Sequence, residues 1–275
     1  MLFRSLDLTS TRAVGEALAR LCPGEVYNLA AVSLVPLSWD DPVGVIEVGA
    51  VGVAVLLETM RRVDPTVRFF QASSADMFGH PAEAPQTEET PIRPVTPYGS
   101  AKAAGHFLTG CYRARYGLHA SSGILFNHES TRRPLSFVTR KVCHAAAAAH
   151  LGLLVELPLG QLEARRDWGA AEDVVQAMWL MLQAAEPDDY VIATGESHSV
   201  QELASIAFAH VGLDWSEYVR VDEALLRGAA EAPALVGDSS KVRDRLGWEP
   251  SIGFEELVRR MVDADITGLR SRAAV

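Results

Sequence analysis

The sequence predicts an α/β fold, a parallel sheet covered by helices, with a smaller lobe interleaved with it toward the C-terminus. Three observations predict it. Short apolar runs rich in β-branched and aromatic residues alternate with helical periodicity from residue 25 to residue 126. Polar residues suited to chemistry, Ser73, Ser74, Asp76 and Asn127, stand directly after predicted strands, and sites in such sheets form at the carboxyl ends of strands. The composition, 48% hydrophobic and 22% charged over 275 residues, suits one large globular domain or two closely joined ones.

The elements follow in order. Residues 25–31, Glu-Val-Tyr-Asn-Leu-Ala-Ala, read as a buried strand and its exit loop. Asp41-Pro42 is a helix start, an N-cap followed by proline at the first helical position. That helix runs to about Arg62, with Val45, Val48, Val55 and Leu56 among its apolar positions. The next strand covers 67–72, and 80–97 is a loop rich in Pro, Glu and Thr. A helix over 98–116 then leads into a strand over 119–126. Beyond Phe126 the alternation loosens. Helices are expected near 137–150, 172–185, 200–212 and 254–266, and short strands near 154–157, 190–193 and 218–221. Met178, Met181 and Leu182 have helical spacing and read as core, as do Trp168, Trp179 and Trp248. No linker separates the halves. The expected division is therefore a sheet domain over 1–126 and a lobe over 127–275, with a strand near 190–193 returning to the sheet.

The net charge of −10 argues against nucleic acid or an anionic membrane surface as the main partner. A phosphorylated ligand then needs a local pocket of Arg and Lys. Cys22, Cys111 and Cys143 are odd in number and far apart, which fits reduced thiols in a cytoplasmic protein and gives no metal spacing. No apolar run is expected to approach the ~20 residues of a membrane span, and Arg4 and Asp7 interrupt any signal-peptide core.

Tyr98-Gly-Ser-Ala-Lys102 carries the strongest chemical signal. A Tyr and a Lys four apart share one helix face. An ammonium there lowers a phenol's pKa from about 10 toward working pH, and the tyrosinate can then take a proton from a sugar hydroxyl beside a nicotinamide. The spacing by itself is common, and the blocks around it give it weight. Tyr27-Asn-Leu-Ala-Ala31, Arg68-Phe-Phe-Gln-Ala-Ser73, Met77-Phe-Gly79, Ser122-Gly-Ile-Leu-Phe-Asn-His-Glu-Ser130, Phe137-Val-Thr-Arg-Lys141, Arg166-Asp-Trp-Gly169 and the run over 188–195 together resemble the GDP-mannose 4,6-dehydratase family of extended short-chain dehydrogenases/reductases. The resemblance runs from about Leu6 to Ile266.

The resemblance implies a Rossmann-like sheet and a lyase that uses NADP, or else NAD, and acts on GDP-mannose or a related GDP-sugar. It implies Tyr98 as proton acceptor at C4, Lys102 tuning Tyr98 and holding the ribose, Ser74 on the C4 oxygen, and Asp76 as acid–base at C5 and C6. Cofactor contacts would come from Asp7, Leu8, Leu29, Ala30, Ala31, Ser33, Ser73, Tyr98, Lys102, His128 and Arg133. Nucleotide-sugar contacts would come from Asn127, Val138, Lys141, Arg166, Arg227 and Glu231. Alone, His128 reads as a loop histidine and Arg166-Asp167 as a helix-start ion pair; inside these blocks both read as functional. The family further implies a homodimer through the helices near 43–62 and 98–116.

The chain also departs from the family's pattern. The strand, Gly-rich turn and helix N-terminus that hold a pyrophosphate are not found ahead of Asp7. The expectation is an incomplete dinucleotide-binding core over 1–126 that holds GDP-sugars better than dinucleotides. The family's Thr-Ser-Glu is here Ser74-Ala75-Asp76, with an acid one methylene shorter, and Val32 and Leu34 replace polar residues. Two alternatives therefore stand beside the lyase: a GDP-sugar reductase or epimerase of the same superfamily, and a catalytically impaired GDP-sugar-binding remnant.

Overall fold

Residues 5–226 and 235–273 are described by a computed structural model. The chain opens on α1 (Thr11–Leu21), capped by the Ser10 hydroxyl, and enters β1 (Glu25–Asn28). Asp41 caps α2 (Pro42–Ile46), which continues through one π turn (Glu47–Val51) into α3 (Gly52–Val63). Then come β2 (Arg68–Ser74), a 3₁₀ turn (Ala75–Phe78), α4 (Pro97–Tyr116) and β3 (Ala120–Leu125). The chain continues with β4 (Asn127–Glu129), α5 (Val138–His150), β5 (Leu157–Leu159), β6 (Arg165–Arg166) and β7 (Trp168–Ala170). Next are α6 (Ala171–Gln183), β8 (Asp189–Ile192), β9 (His198–Ser199) and α7 (Val200–His210). The last elements are α8 (Trp215–Tyr218), β10 (Val219–Val221), α9 (Ser240–Leu246) and α10 (Phe254–Ala273).

The chain divides into two compact units that alternate along the sequence. The first takes Met1–Leu125, Gln176–Ile192 and Asp238–Trp248. Its sheet has the order β1-β2-β3-β8 and every pairing is parallel. Strand β2 is central and its side chains from Phe69 to Ser74 are buried on both faces, which is why its sequence is nearly continuous in apolar and small residues. Val14, Val53, Leu57 and Met60 pack with Phe69, Leu118 and Ala120 to form a core. The Arg113 guanidinium grips Asp189 with two hydrogen bonds of 2.9 and 2.7 Å, tying α4 to β8.

The second unit takes Phe126–Val175, Ala193–Gly237 and Glu249–Val275. Here α5, α7 and α10 pack around Val142, Cys143, Leu203, Phe208, Val258 and Met261. The alanines at 145–149 are buried in α5, where small side chains let neighbouring helices come close. Burial raises the Cys143 thiol to about 12, so it is a core residue. Short two-stranded pairings, β4 with β7, β5 with β10 and β6 with β9, complete the unit.

Several expectations change in detail. The strand expected near 154–157 begins only at Leu157, where pairing to Val219 becomes available. Helix α10 runs on to Ala273. Trp168 and Trp248 are buried, but Trp179 is 51% exposed on α6. The expectation that no span-length apolar run exists is also corrected. The 22-residue stretch Pro42–Val63 is long and apolar enough to cross a membrane by length and composition, an 18-residue window of it having a mean hydropathy of 1.9. Only Glu47 interrupts it before Glu58. Val53, Leu56, Leu57 and Met60 of this stretch are buried in the first unit, and a core helix passes the same test.

Candidate active site

The first unit gathers four predicted residues at the carboxyl end of β2. Ser74 ends the strand and caps the following 3₁₀ turn, its hydroxyl accepting from the Asp76 N–H at 3.2 Å and donating to the Asp76 carboxylate at 3.3 Å. The half-buried Asp76 carboxylate is thus held by its near neighbour Ser74. Thr96 caps α4, accepting from Gly99 N–H at 3.0 Å, and Pro97 takes the first helical position, so Tyr98 lies in the first turn. A Cβ on Gly99 would lie 2.7 Å from the Asp76 carbonyl oxygen. Glycine there is what lets the start of α4 press against the Asp76 turn.

Lys102 lies one turn beyond Tyr98. Its ammonium is 5.7 Å from the Tyr98 ring centroid and donates to the Ala72 carbonyl at 2.8 Å. The lysine is 5% exposed, and burial draws its pKa down to about 8. Ser73 takes another direction. It is buried, and its hydroxyl meets His106 Nδ1 at 3.2 Å, which leaves its backbone for any ligand contact. His106 is held below the ordinary histidine range by burial first.

The residues expected at a dinucleotide divide into two groups. Leu29, Ala30 and Ser33 follow β1 and are exposed, with Ala31 half-buried, so this loop is open to a ligand. Asp7 is exposed, and its carboxylate accepts from Thr9 N–H at 2.9 Å and Thr9 hydroxyl at 2.7 Å. Leu8 packs beside Gly52. No Gly-rich turn leads from a strand into a helix N-terminus ahead of β1 among the described residues.

The second unit holds the other predicted residues. Asn127 and His128 lie on β4, opposite Trp168 and Gly169 of β7. His128 Nδ1 lies 2.9 Å from the Phe126 carbonyl. A carbonyl only accepts, so Nδ1 carries the proton and Nε2 is the accepting nitrogen of the neutral ring. Arg133 pairs with the buried Glu129 at 3.1 Å, and its guanidinium stands 3.5 Å from the Phe137 ring centroid. Glu129 also accepts from the Thr139 hydroxyl at 2.7 Å. Val138 starts α5 and packs on the core, while Lys141, one turn later, donates to the Pro158 carbonyl. The half-buried Arg166 follows Arg165 and donates to its carbonyl. Arg227 and Glu231 lie outside the described residues.

Sequence reasoning missed Asp167 and Gln71. Asp167 is buried and accepts from Thr194 N–H and hydroxyl, Gly195 N–H and Gly237 N–H. It fastens the segment bearing Arg166 to two loops far away in sequence. Gln71 is a buried amide in the middle of an apolar strand. That break in the apolar pattern was visible, but its partners were not.

The sequence profile of the GDP-mannose 4,6 dehydratase family matches residues 1–261. The chain belongs to the GDP-mannose 4,6-dehydratase family. Among its relatives, GDP-mannose 4,6 dehydratase 2 of Arabidopsis thaliana is 47% identical over 264 residues, covering 94% of this chain and 70% of that one. The Homo sapiens GDP-mannose 4,6 dehydratase is 41% identical over 284 residues, covering 96% and 76%. The fold is similar to that of RMD from Pseudomonas aeruginosa complexed with NADPH, with a TM-score of 0.88 at 24% identity over 96% of this chain and 88% of that one. It is also similar to the UDP-glucose 4-epimerase of Thermus thermophilus in complex with NAD, with a TM-score of 0.81 at 28% identity over 98% and 84%.

Proposed function

We propose that the chain is a lyase that converts GDP-mannose to GDP-4-keto-6-deoxymannose, its chemistry carried by residues of the first unit. The observation that carries this reading is the Tyr98–Lys102 pair on α4, set beside the Ser74–Asp76 turn at the end of β2 in a chain of this family. A nicotinamide dinucleotide supplies the oxidation at C4 and the matching reduction at C6, and ends as it began. Tyr98 takes the proton of the C4 hydroxyl. Ser74 donates to the C4 oxygen, which becomes a carbonyl and acidifies the C5 proton. Asp76 takes that proton and returns one to the C6 hydroxyl, which leaves as water. Lys102 holds positive charge below the phenol and favours the phenolate during the first step. Asn127, Lys141 and Arg166 would meet the diphosphate and the base, and His128 and Arg133 the cofactor.

A homodimer fits the exposed apolar side chains of the helices concerned. Val43 and Val51 in the 42–63 helical run and Phe107 on α4 are 66%, 46% and 55% exposed. The acidic net charge fits a soluble cytoplasmic enzyme whose partners are small nucleotides rather than nucleic acid.

The test is turnover in deuterated buffer with GDP-mannose and NADP. The expected product has lost one water and carries deuterium at C5. Tyr98→Phe abolishes turnover while GDP-mannose affinity holds, and Asp76→Asn stops exchange at C5. Oxidation at C4 without loss of water would instead assign a reductase or epimerase, and GDP-mannose binding without any reaction would assign a binding protein.

A further inference from the structure

A chain of buried amides runs below the site, and its polarity is fixed at both ends by backbone groups. Asn28 Oδ1 accepts from the Ala30 N–H at 3.3 Å, and a backbone N–H can only donate. The amide nitrogen of Asn28 therefore faces the other way and donates to Gln71 Oε1 at 2.9 Å. That leaves Gln71 Nε2 to donate to the Ala72 carbonyl at 3.2 Å, and a carbonyl can only accept. The Lys102 ammonium donates to the same oxygen at 2.8 Å. Sharing one oxygen keeps Gln71 Nε2 and Lys102 Nζ within about 6 Å of each other. Asn28, Gln71 and Lys102 are each no more than 5% exposed, so water does not screen these contacts.

We infer that Gln71, held in orientation by Asn28, is a positioning residue that sets where the Lys102 ammonium sits and how strongly it keeps its proton. The arrangement turns the positive end of the Gln71 amide toward the oxygen that Lys102 uses and keeps the negative end away from it. Gln71 thus competes for the acceptor and opposes the lysine's charge. The same chain ends on the Ala30 N–H, in the loop that follows β1, so the placement of that loop and of Lys102 is coupled through two side chains. The titratable groups nearest Lys102 on its own helix are Tyr98 and His106, each one turn away. Strand β1 carries Glu25 and Tyr27, which bond each other, strand β2 carries Arg68 at its start, and Asp76 lies beyond the end of β2. Burial lowers the ammonium's pKa, and Gln71 is the polar side chain that shares its acceptor.

This inference rests on the reading of Tyr98 and Lys102 as the proton-handling pair, but its test uses no substrate. The chain has three lysines, Lys102, Lys141 and Lys241, so lysine labelled with 13C at Cε resolves Lys102 by NMR in the intact protein. In the unaltered chain Lys102 titrates well below the ordinary lysine range. Gln71→Glu places a carboxylate against the ammonium and moves its midpoint up by roughly 1 to 3 on the pH scale. Asn28→Asp can still accept from Ala30 but cannot donate, so Gln71 turns over, presents its oxygen to Lys102 and also raises the midpoint, by less. This variant decides the matter if Gln71→Glu does not fold. A Lys102 midpoint unchanged in a folded variant of either kind overturns the inference, because packing alone would leave it unmoved. Where turnover is measurable, the acid limb of its pH profile rises with the Gln71→Glu midpoint, because the neutralised pocket no longer favours the phenolate. If the midpoint moves while the limb stays put, the positioning stands and the assignment of the pair to catalysis fails.

Discussion

Lys102 shows what the chemistry costs at the scale of one residue. A buried ammonium held near 8 binds its proton less well folded than unfolded, where it titrates near 10.5. Because its folded pKa is depressed, the unfolded chain holds more protons between those values, and stability rises with pH across that window. Below about 8 the penalty is present in full, roughly 3 kcal/mol from the difference between the two pKa values. Lys102→Met should therefore lose turnover yet gain stability at pH 7, by a few kcal/mol less about 1 for the lost hydrogen bond. Urea unfolding at pH 7 and pH 9.5 checks this. The gain should shrink at the higher pH, and a variant less stable than the parent at pH 7 would show that the ammonium is no burden.

At the scale of elements, the site depends on two close approaches to α4. Gly99 brings its first turn onto the Asp76 carbonyl, and Gly49, in the π turn, brings α2 and α3 against Ala101, where a Cβ would stand 2.8 Å from the Ala101 Cβ. The π turn and this contact together fix how deep the Tyr98–Lys102 face sits. Gly99→Ala should push the start of α4 off the Asp76 turn. A displacement near 1 Å at a reacting centre costs roughly 100-fold in rate. The expected result is a kcat lower by about that factor, with the KM for GDP-mannose little changed and far-ultraviolet dichroism intact. An unaltered kcat would mean that Asp76 and Tyr98 do not depend on this contact for their spacing.

Among the described residues of the whole molecule, the first unit leaves apolar side chains exposed. Val43, Ile46, Val51 and Phe107 are exposed on the helices that the family resemblance assigns to a dimer contact, and the proposed homodimer would cover them. Phe107→Asp buries a charge if two chains meet there. Analytical ultracentrifugation should then show a dimer for the parent and a monomer for the variant, with unchanged helix content. Equal masses for both would move the contact elsewhere or remove it.

Legibility in the sequence followed the range of the interactions. Element type came through where the signal was local. Asp41-Pro42 and Thr96-Pro97 announce helix starts through a cap and a fixed φ, and β2 announces itself by an unbroken buried run. The pairing of Tyr98 with Lys102 was also legible, because four residues make one helical turn. Ser73 and Ser74 were not distinguishable by spacing. Successive strand residues point to opposite faces, so one hydroxyl meets His106 and the other Asp76. The π turn was invisible too, since it answers to Ala101, about fifty residues away by sequence and in contact only after folding.

The sequence by itself determined the α/β class, the family, the helix that bears Tyr98 and Lys102, and the short acid at position 76, because these rest on local periodicity and on residue types in fixed blocks. Only the tertiary structure decided that the lysine is buried and shares a carbonyl with Gln71, that Asn28 sets the direction of that amide, and that Asp167 gathers three loop N–H groups and a threonine hydroxyl from far along the chain. A buried polar group has to be satisfied by whatever the fold brings to it. Its partners are separated by tens of residues, and nothing in the linear order ranks one distant donor above another.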